Sequence, residues 1–93
     1  MAEIVWEEDA LDDRESIFEY LYEFNPVAAE KTDSIFDKQC ELLESQPFLG
    51  VVKKGWKGYC LILADISFNI YYDTDGRIIR IMRILHQKQR FPR

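Results

Sequence analysis

One histidine and two cysteines in 93 residues supply no zinc-ligand set. Cys40 and Cys60 stand far apart in apolar patterns, so both are expected to be buried free thiols in a reducing cytosol. No apolar run reaches the roughly 18 residues a membrane-spanning helix needs. The longest such run, Tyr59 to Ala64, is strand-sized. The segment Met1-Ala2-Glu3 has neither a basic n-region nor an apolar h-region, so no secretory signal is expected. Repeats, linkers and low-complexity tracts are missing too. So are a Ser/His/Asp or Cys/His signature, a P-loop and a Gly-rich dinucleotide motif. These absences lead to the expectation of a cytoplasmic chain with no metal, no cofactor and no membrane partner.

What is present fits one domain over residues 1–93. Apolar residues make up 47% of the chain, ordinary for a globular fold, and the length allows a small but sufficient core. The net charge of −5 argues, taken alone, against a nucleic-acid binder. It hides a split. Residues 1–47 carry 14 Asp/Glu against 3 Lys/Arg, or −11, and residues 48–93 carry 3 against 9, or +6. An acidic half and a basic half can each face a different partner.

The apolar periodicity sets the order of elements. Glu3 to Trp6 is short and β-prone. Glu7 to Phe24 reads as a helix, with Ala10, Ile17, Leu21 and Phe24 on one face and Leu11, Phe18 and Tyr22 widening it. Glu7, Glu8 and Asp9 in its first turn suit the helix dipole. Asn25-Pro26 then breaks and restarts the chain, because Asn caps well and Pro favours the first helical position. A second helix is expected from about Pro26 to Ser45, burying Ala28, Ile35 and Leu42 flanked by Phe36 and Leu43. So short a break makes an antiparallel hairpin. Gln46-Pro47 ends it.

Beyond that point the period shortens. Strands are expected over Leu49 to Lys54, Trp56 to Ala64, Ile66 to Tyr72 and Arg77 to Leu85, with a tight turn at Asp73-Thr74-Asp75-Gly76. The last segment also fits a helix, but its four isoleucines and the turn before it favour a strand. A regular strand there would put Arg77 and Arg83 on one face and Arg80 on the other. The expected class is α+β, an N-terminal strand and helical hairpin packed on a mainly antiparallel sheet, in the order β-α-α-β-β-β-β.

The acidic residues read as solvated helix faces, and no pair among them stands out as catalytic. The basic half is more informative. Lys53, Lys54 and Lys57 surround Gly55-Trp56, while Arg77, Arg80 and Arg83 lie on the last strand. Lys88, Arg90 and Arg93 follow His86 and accompany Phe91. Converging on one surface, they would attract phosphates or an acidic segment, with Trp56, Tyr59 and Phe91 as stacking platforms. The alternative is that they neutralise the acidic helices.

As a whole, the pattern resembles toxins of the RelE/ParE superfamily from bacterial type II toxin–antitoxin modules. The resemblance runs from Ala10-Leu11-Asp12-Asp13 with Ile17 and Tyr20, through Asn25-Pro26-Val27-Ala28-Ala29 and Leu43 with Gln46-Pro47-Phe48 and Gly50. It continues in Gly55-Trp56-Lys57 and Phe68-Asn69-Ile70-Tyr71-Tyr72, and closes with Ile79 to His86, Lys88 and Arg90-Phe91-Pro92. The first-helix pattern and the ending Leu85 to Pro92 look more like the ParE side. That side implies a toxin that inhibits DNA gyrase without being an enzyme. It is neutralised by a cognate antitoxin and reaches operator DNA only through it. The resemblance offers Lys57, Arg77, Arg80, Arg83, His86, Lys88, Arg90 and Phe91 as target-binding residues. RelE-like relatives are instead ribosome-dependent endoribonucleases acting on mRNA. On that reading Lys53, Lys54, Arg83 and Lys88 would be catalytic, with cations stabilising the charge that develops at phosphorus. The chain has no Tyr after Tyr72, where such nucleases carry a late Tyr or His, and Lys57 stands where ParE-like chains often have Arg. A third reading is a non-toxic interaction protein of the same fold.

Overall fold

The computed structural model describes residues 1–89; the expectations for Arg90 and Phe91 lie outside them. The elements are β1 (Glu3–Trp6), α1 (Glu8–Phe24), α2 (Pro26–Ser45), β2 (Val51–Val52), β3 (Tyr59–Leu63), β4 (Phe68–Thr74) and β5 (Ile78–His86). This is the expected β-α-α-β-β-β-β order and α+β class. The strands form one sheet in the order β1-β5-β4-β3-β2. β2 to β5 pair antiparallel, and β1 lies parallel to β5 at one edge.

The hairpin forms where the sequence marks it. Asn25 Oδ1 accepts from the Ala28 N–H at 3.2 Å, and Pro26 opens α2. The buried faces differ in part from those expected. α1 buries Ala10 and packs Ile17 on the core, but Leu11, Tyr22 and Phe24 are exposed. No residue from Phe18 to Phe24 is buried, so that end of the hairpin stands clear of the core. α2 buries Ala29, Thr32, Phe36, Cys40 and Leu43. Its inward stripe is therefore centred one residue later than Ala28-Ile35-Leu42. Both stripes satisfy the 3.6-residue period, and the partner surface decides between them.

The strands are shifted or shorter than their apolar runs, for identifiable reasons. The buried Tyr72 hydroxyl donates to the Pro47 carbonyl at 2.9 Å and accepts from the Gly50 N–H at 2.8 Å. This pins residues 47–50 to β4 and leaves only Val51–Val52 to pair as β2. Trp56 lies in a loop, where its indole N–H donates to the Tyr59 carbonyl at 3.1 Å. Ser67 takes a left-handed φ of 63°, which delays β4 to Phe68. β4 then runs on through Thr74, two residues into the expected turn. Asp75 Oδ1 makes the turn instead, accepting from the Arg77 and Ile78 N–H groups at 2.8 and 3.0 Å. Those bonds hold its carboxyl below the usual carboxylate range. Gly76 supplies a φ of +94° there.

β5 is a strand, as its isoleucines indicate, but not a regular one. Tyr71 pairs with Arg83 while Tyr72 pairs with Ile81, so Met82 is an extra residue. Ile79, Ile81 and Ile84 consequently all face the helices, where they join Phe36, Leu43, Ile70 and Tyr72 in the main core. The bulge also overturns the expected placing of the arginines. Arg83 and Arg80 project from the same face, opposite Tyr71 and Asp73. Arg77 sits in the turn before the strand. On that reverse face Cys60, Tyr71 and Leu85 form a smaller cluster with Trp56 packed against it.

Both cysteines are buried and free. Burial pushes the Cys40 thiol up from 9.0 to about 12 and raises that of Cys60 as well. Cys40 therefore contributes its full stabilisation below pH 9.0, and that contribution is lost as the pH rises toward about 12. Iodoacetamide at pH 7.5 is expected to leave both thiols unmodified in the native protein and to alkylate both in urea, as read by mass spectrometry. Tyr72→Phe leaves the Gly50 N–H and Pro47 carbonyl without their partner. It is expected to lower the unfolding free energy by about 1–3 kcal/mol in urea titrations.

Candidate functional site

Two neighbouring residues of α1 tie the helices to one another and to β5, and one of them binds the candidate cation Arg83. Arg14 turns toward α2. Its Nε lies 2.6 Å from Asp33 Oδ1, and its Nη2 lies 3.0 Å from Asp33 Oδ2 and 2.9 Å from Asp37 Oδ1. The guanidinium also sits 5.2 Å from the Trp6 ring centroid, so one side chain ties α1 to α2 and to the end of β1. The Asp33 hydrogen bond raises its pKa, against the opposing effect of burial.

Asp13 turns the other way, onto β5. The β1–β5 ladder ends where the Glu7 N–H donates to the Ile81 carbonyl at 3.0 Å. Beyond that point Asp13 Oδ2 accepts the Ile84 N–H at 3.0 Å, so a carboxylate does what a strand would otherwise do. The same carboxylate takes Arg83 in a two-bond fork, Nε at 2.7 Å and Nη2 at 3.0 Å. This fork raises the arginine's pKa, and desolvation opposes it.

The other cations do not gather on one surface. Arg80 lies on the reverse face beside Asp73, 3.9 Å from Glu7 in an exposed pair. Arg80 and Arg83 thus partly serve to neutralise the acidic helical half. Arg77 lines a cleft with Glu3, Glu44 and Asp75 at the β4–β5 turn. Lys53, Lys54 and Lys57 are exposed in the β2–β3 connection, where Lys53 Nζ stands 5.7 Å from the Tyr71 ring centroid. His86 ends β5 with its ring edge-on to Phe68 at 5.4 Å, and its Nδ1 accepts from the Lys88 N–H at 3.1 Å. Arg77 and Lys88 stand at opposite ends of a nine-residue strand, roughly 25–30 Å apart. The candidate cations therefore stand apart: Lys53, Lys54 and Lys57 in the β2–β3 connection, Arg77 and Arg80 in separate clefts at the start of β5, and His86 and Lys88 at its far end.

Among the described residues no cluster of His, Cys, Asp or Glu could hold a metal ion. No described helix is long and apolar enough to cross a membrane. The sequence reading missed Asp13 and Arg14 as a pair of clasps. Their only local signal is two opposite charges side by side on a helix, and that says nothing of where each points.

An N-terminal strand and a helical hairpin packed on a mainly antiparallel sheet is the architecture that the resemblance to RelE/ParE-superfamily toxins implied. The chain matches the family described as ParE toxin of type II toxin-antitoxin system, parDE, over residues 4–91, and it belongs to that family. A solved structure titled "Chromosomal ParDE TA system from P. aeruginosa" is similar in fold. Its TM-score is 0.79 at 21% identity, covering 92% of this chain and 96% of that one. No curated protein matches the chain. The protein is thus a ParE-like toxin component, whose family implies an antitoxin partner.

The two ion pairs on β5 differ in worth. Asp13→Ala strips Arg83 and the Ile84 N–H of their acceptor and is expected to cost about 1–3 kcal/mol. Glu7→Gln removes only an exposed pair and is expected to cost under about 0.5 kcal/mol. Urea unfolding of the two variants side by side checks the contrast.

Proposed function

We propose that this toxin arrests growth in the cytoplasm by inhibiting DNA gyrase, that residues 1–93 act as one toxin domain, and that a cognate antitoxin neutralises it. Operator DNA would be reached only through that antitoxin. Family membership over residues 4–91 supports the reading. The observation that carries the choice of target is the Asp13–Arg83 fork at 2.7 and 3.0 Å. A ribosome-dependent nuclease would need Arg83 for the reacting phosphate, together with Lys53, Lys54 and Lys88. Here the guanidinium is bound to a carboxylate, and Lys53 leans on Tyr71. A neutralised arginine is a poor stabiliser of developing negative charge.

Lys57, Arg77, Arg80, His86 and Lys88 are the described cations that this reading assigns to antitoxin and target in turn; Arg90 and Phe91, outside the described residues, are assigned the same role. For the antitoxin, the β2 edge offers a docking place. Val51 and Val52 are exposed on a two-residue edge strand, beside Lys53, Lys54 and Lys57. An extended acidic segment could add a strand there and meet the lysines.

The purified chain is expected to block supercoiling by purified gyrase and to leave messenger RNA intact in a translation extract. Unchanged supercoiling at a large molar excess, or messenger cleavage that disappears in Lys88→Ala, would overturn the proposal.

A further inference from the structure

The end of the helical hairpin carries a surface that neither the core nor the basic patches use. Tyr20 is 65% exposed, Phe24 70% and Val27 73%, all within eight residues around the Asn25-Pro26 turn. Soluble proteins expose large apolar side chains singly far more often than in groups. These are also ordered with respect to one another. The Tyr20 and Phe24 rings meet edge to face with centroids 5.1 Å apart, and Phe18 and Tyr22 pair on the other flank at 5.6 Å. The hairpin beneath them is fixed by the Asn25 cap, Pro26 and the Arg14 clasp, so the patch is presented rigidly and costs little to order on binding.

Its rim is anionic. Glu19, Glu23 and Glu30 are exposed around it, with Lys31 as the nearest cation in sequence, and the whole of residues 1–47 carries −11 against the +6 of the rest. Aromatic anchors in an acidic rim are complementary to a cationic protein surface with apolar pockets. They repel nucleic acid and anionic lipid, and a second copy of the same hairpin would bring carboxylates against carboxylates. An enzyme that handles DNA must hold cations where the phosphates lie.

We infer that the Tyr20–Phe24–Val27 end of the hairpin is the surface with which the toxin docks on a cationic, DNA-facing region of its target. This rests on the gyrase reading and assigns it an interface of opposite charge to the lysine-rich loop. Occupying such a region competes with DNA by charge, while the aromatic side chains supply the affinity that charge alone lacks at physiological salt.

The test compares the concentrations at which wild type, Tyr20→Ser/Phe24→Ser and Glu19→Lys/Glu23→Lys halve supercoiling by purified gyrase. Circular dichroism and thermal midpoints of all three report on the fold. Both variants are expected to keep the wild-type midpoint within a few degrees, since all four side chains are exposed. Each should need about tenfold more protein or more, the loss of one interface anchor or its charge match. Wild-type inhibition with unchanged potency in both folded variants would overturn the inference and leave the gyrase reading standing. No inhibition by wild type would overturn both. A wild-type dimer on gel filtration that becomes monomeric in Tyr20→Ser/Phe24→Ser, with inhibition unchanged, would give the patch to a second copy and overturn it as well.

Discussion

The arrangement turns on two adjacent side chains of α1 that pull in opposite directions. Arg14 draws Asp33 and Asp37 of α2 and the Trp6 ring toward α1, and Asp13 draws Arg83 and the Ile84 N–H of β5. Helix, helix and sheet are therefore joined at one level by charge-assisted bonds, while Ala10, Ile17, Phe36 and Leu43 fill the space between them. The apolar contacts supply most of the burial. The two clasps fix rotation and height, which apolar contacts alone leave loosely set. They also explain a mostly anionic helical layer on a cationic sheet: part of the opposite charge is consumed internally and fixes register.

Much of this was legible in the sequence, and the limits of legibility have physical causes. Element order, the Asn25-Pro26 reversal, the strand nature of residues 78–86 and the α+β class all follow from local chemistry: caps, a proline, a turn, β-branched side chains. Positions decided by distant partners did not follow. The inward stripe of α2 slipped by one residue because its neighbours, and not its own period, choose between two equivalent stripes. β2 shrank because Tyr72, more than twenty residues later, claims the Gly50 N–H. The bulge at Met82 left no local trace and moved Arg83 to the face of Arg80. Of the candidate site, the lysine-rich loop was visible as a charge cluster. The separation of Arg77 from Lys88 and the capture of Arg83 by Asp13 needed the fold.

The charge split acquires a sharper meaning. A net −5 describes no surface of the molecule. One end presents aromatic rings among carboxylates and the other presents lysines beside an open strand edge, so partners of opposite charge would be received at different places. Neutralisation would then rest on an antitoxin that covers the cations of the sheet, which the target needs as well as the hairpin.

The parallel pairing of β1 with β5 has a consequence in time. Glu3 pairs with Ile78 and Trp6 with Ile81, so the first strand made must wait for the last. On the ribosome, the hairpin of α1 and α2 can close early from local contacts, but the sheet edge that receives β1 does not exist until residues 78–81 have emerged. Asp13 likewise waits for Arg83, seventy residues downstream. An interrupted translation product of this chain is therefore an acidic helical pair with its apolar face uncovered. Synthesis through β5 is therefore the step that gives the toxin its shape.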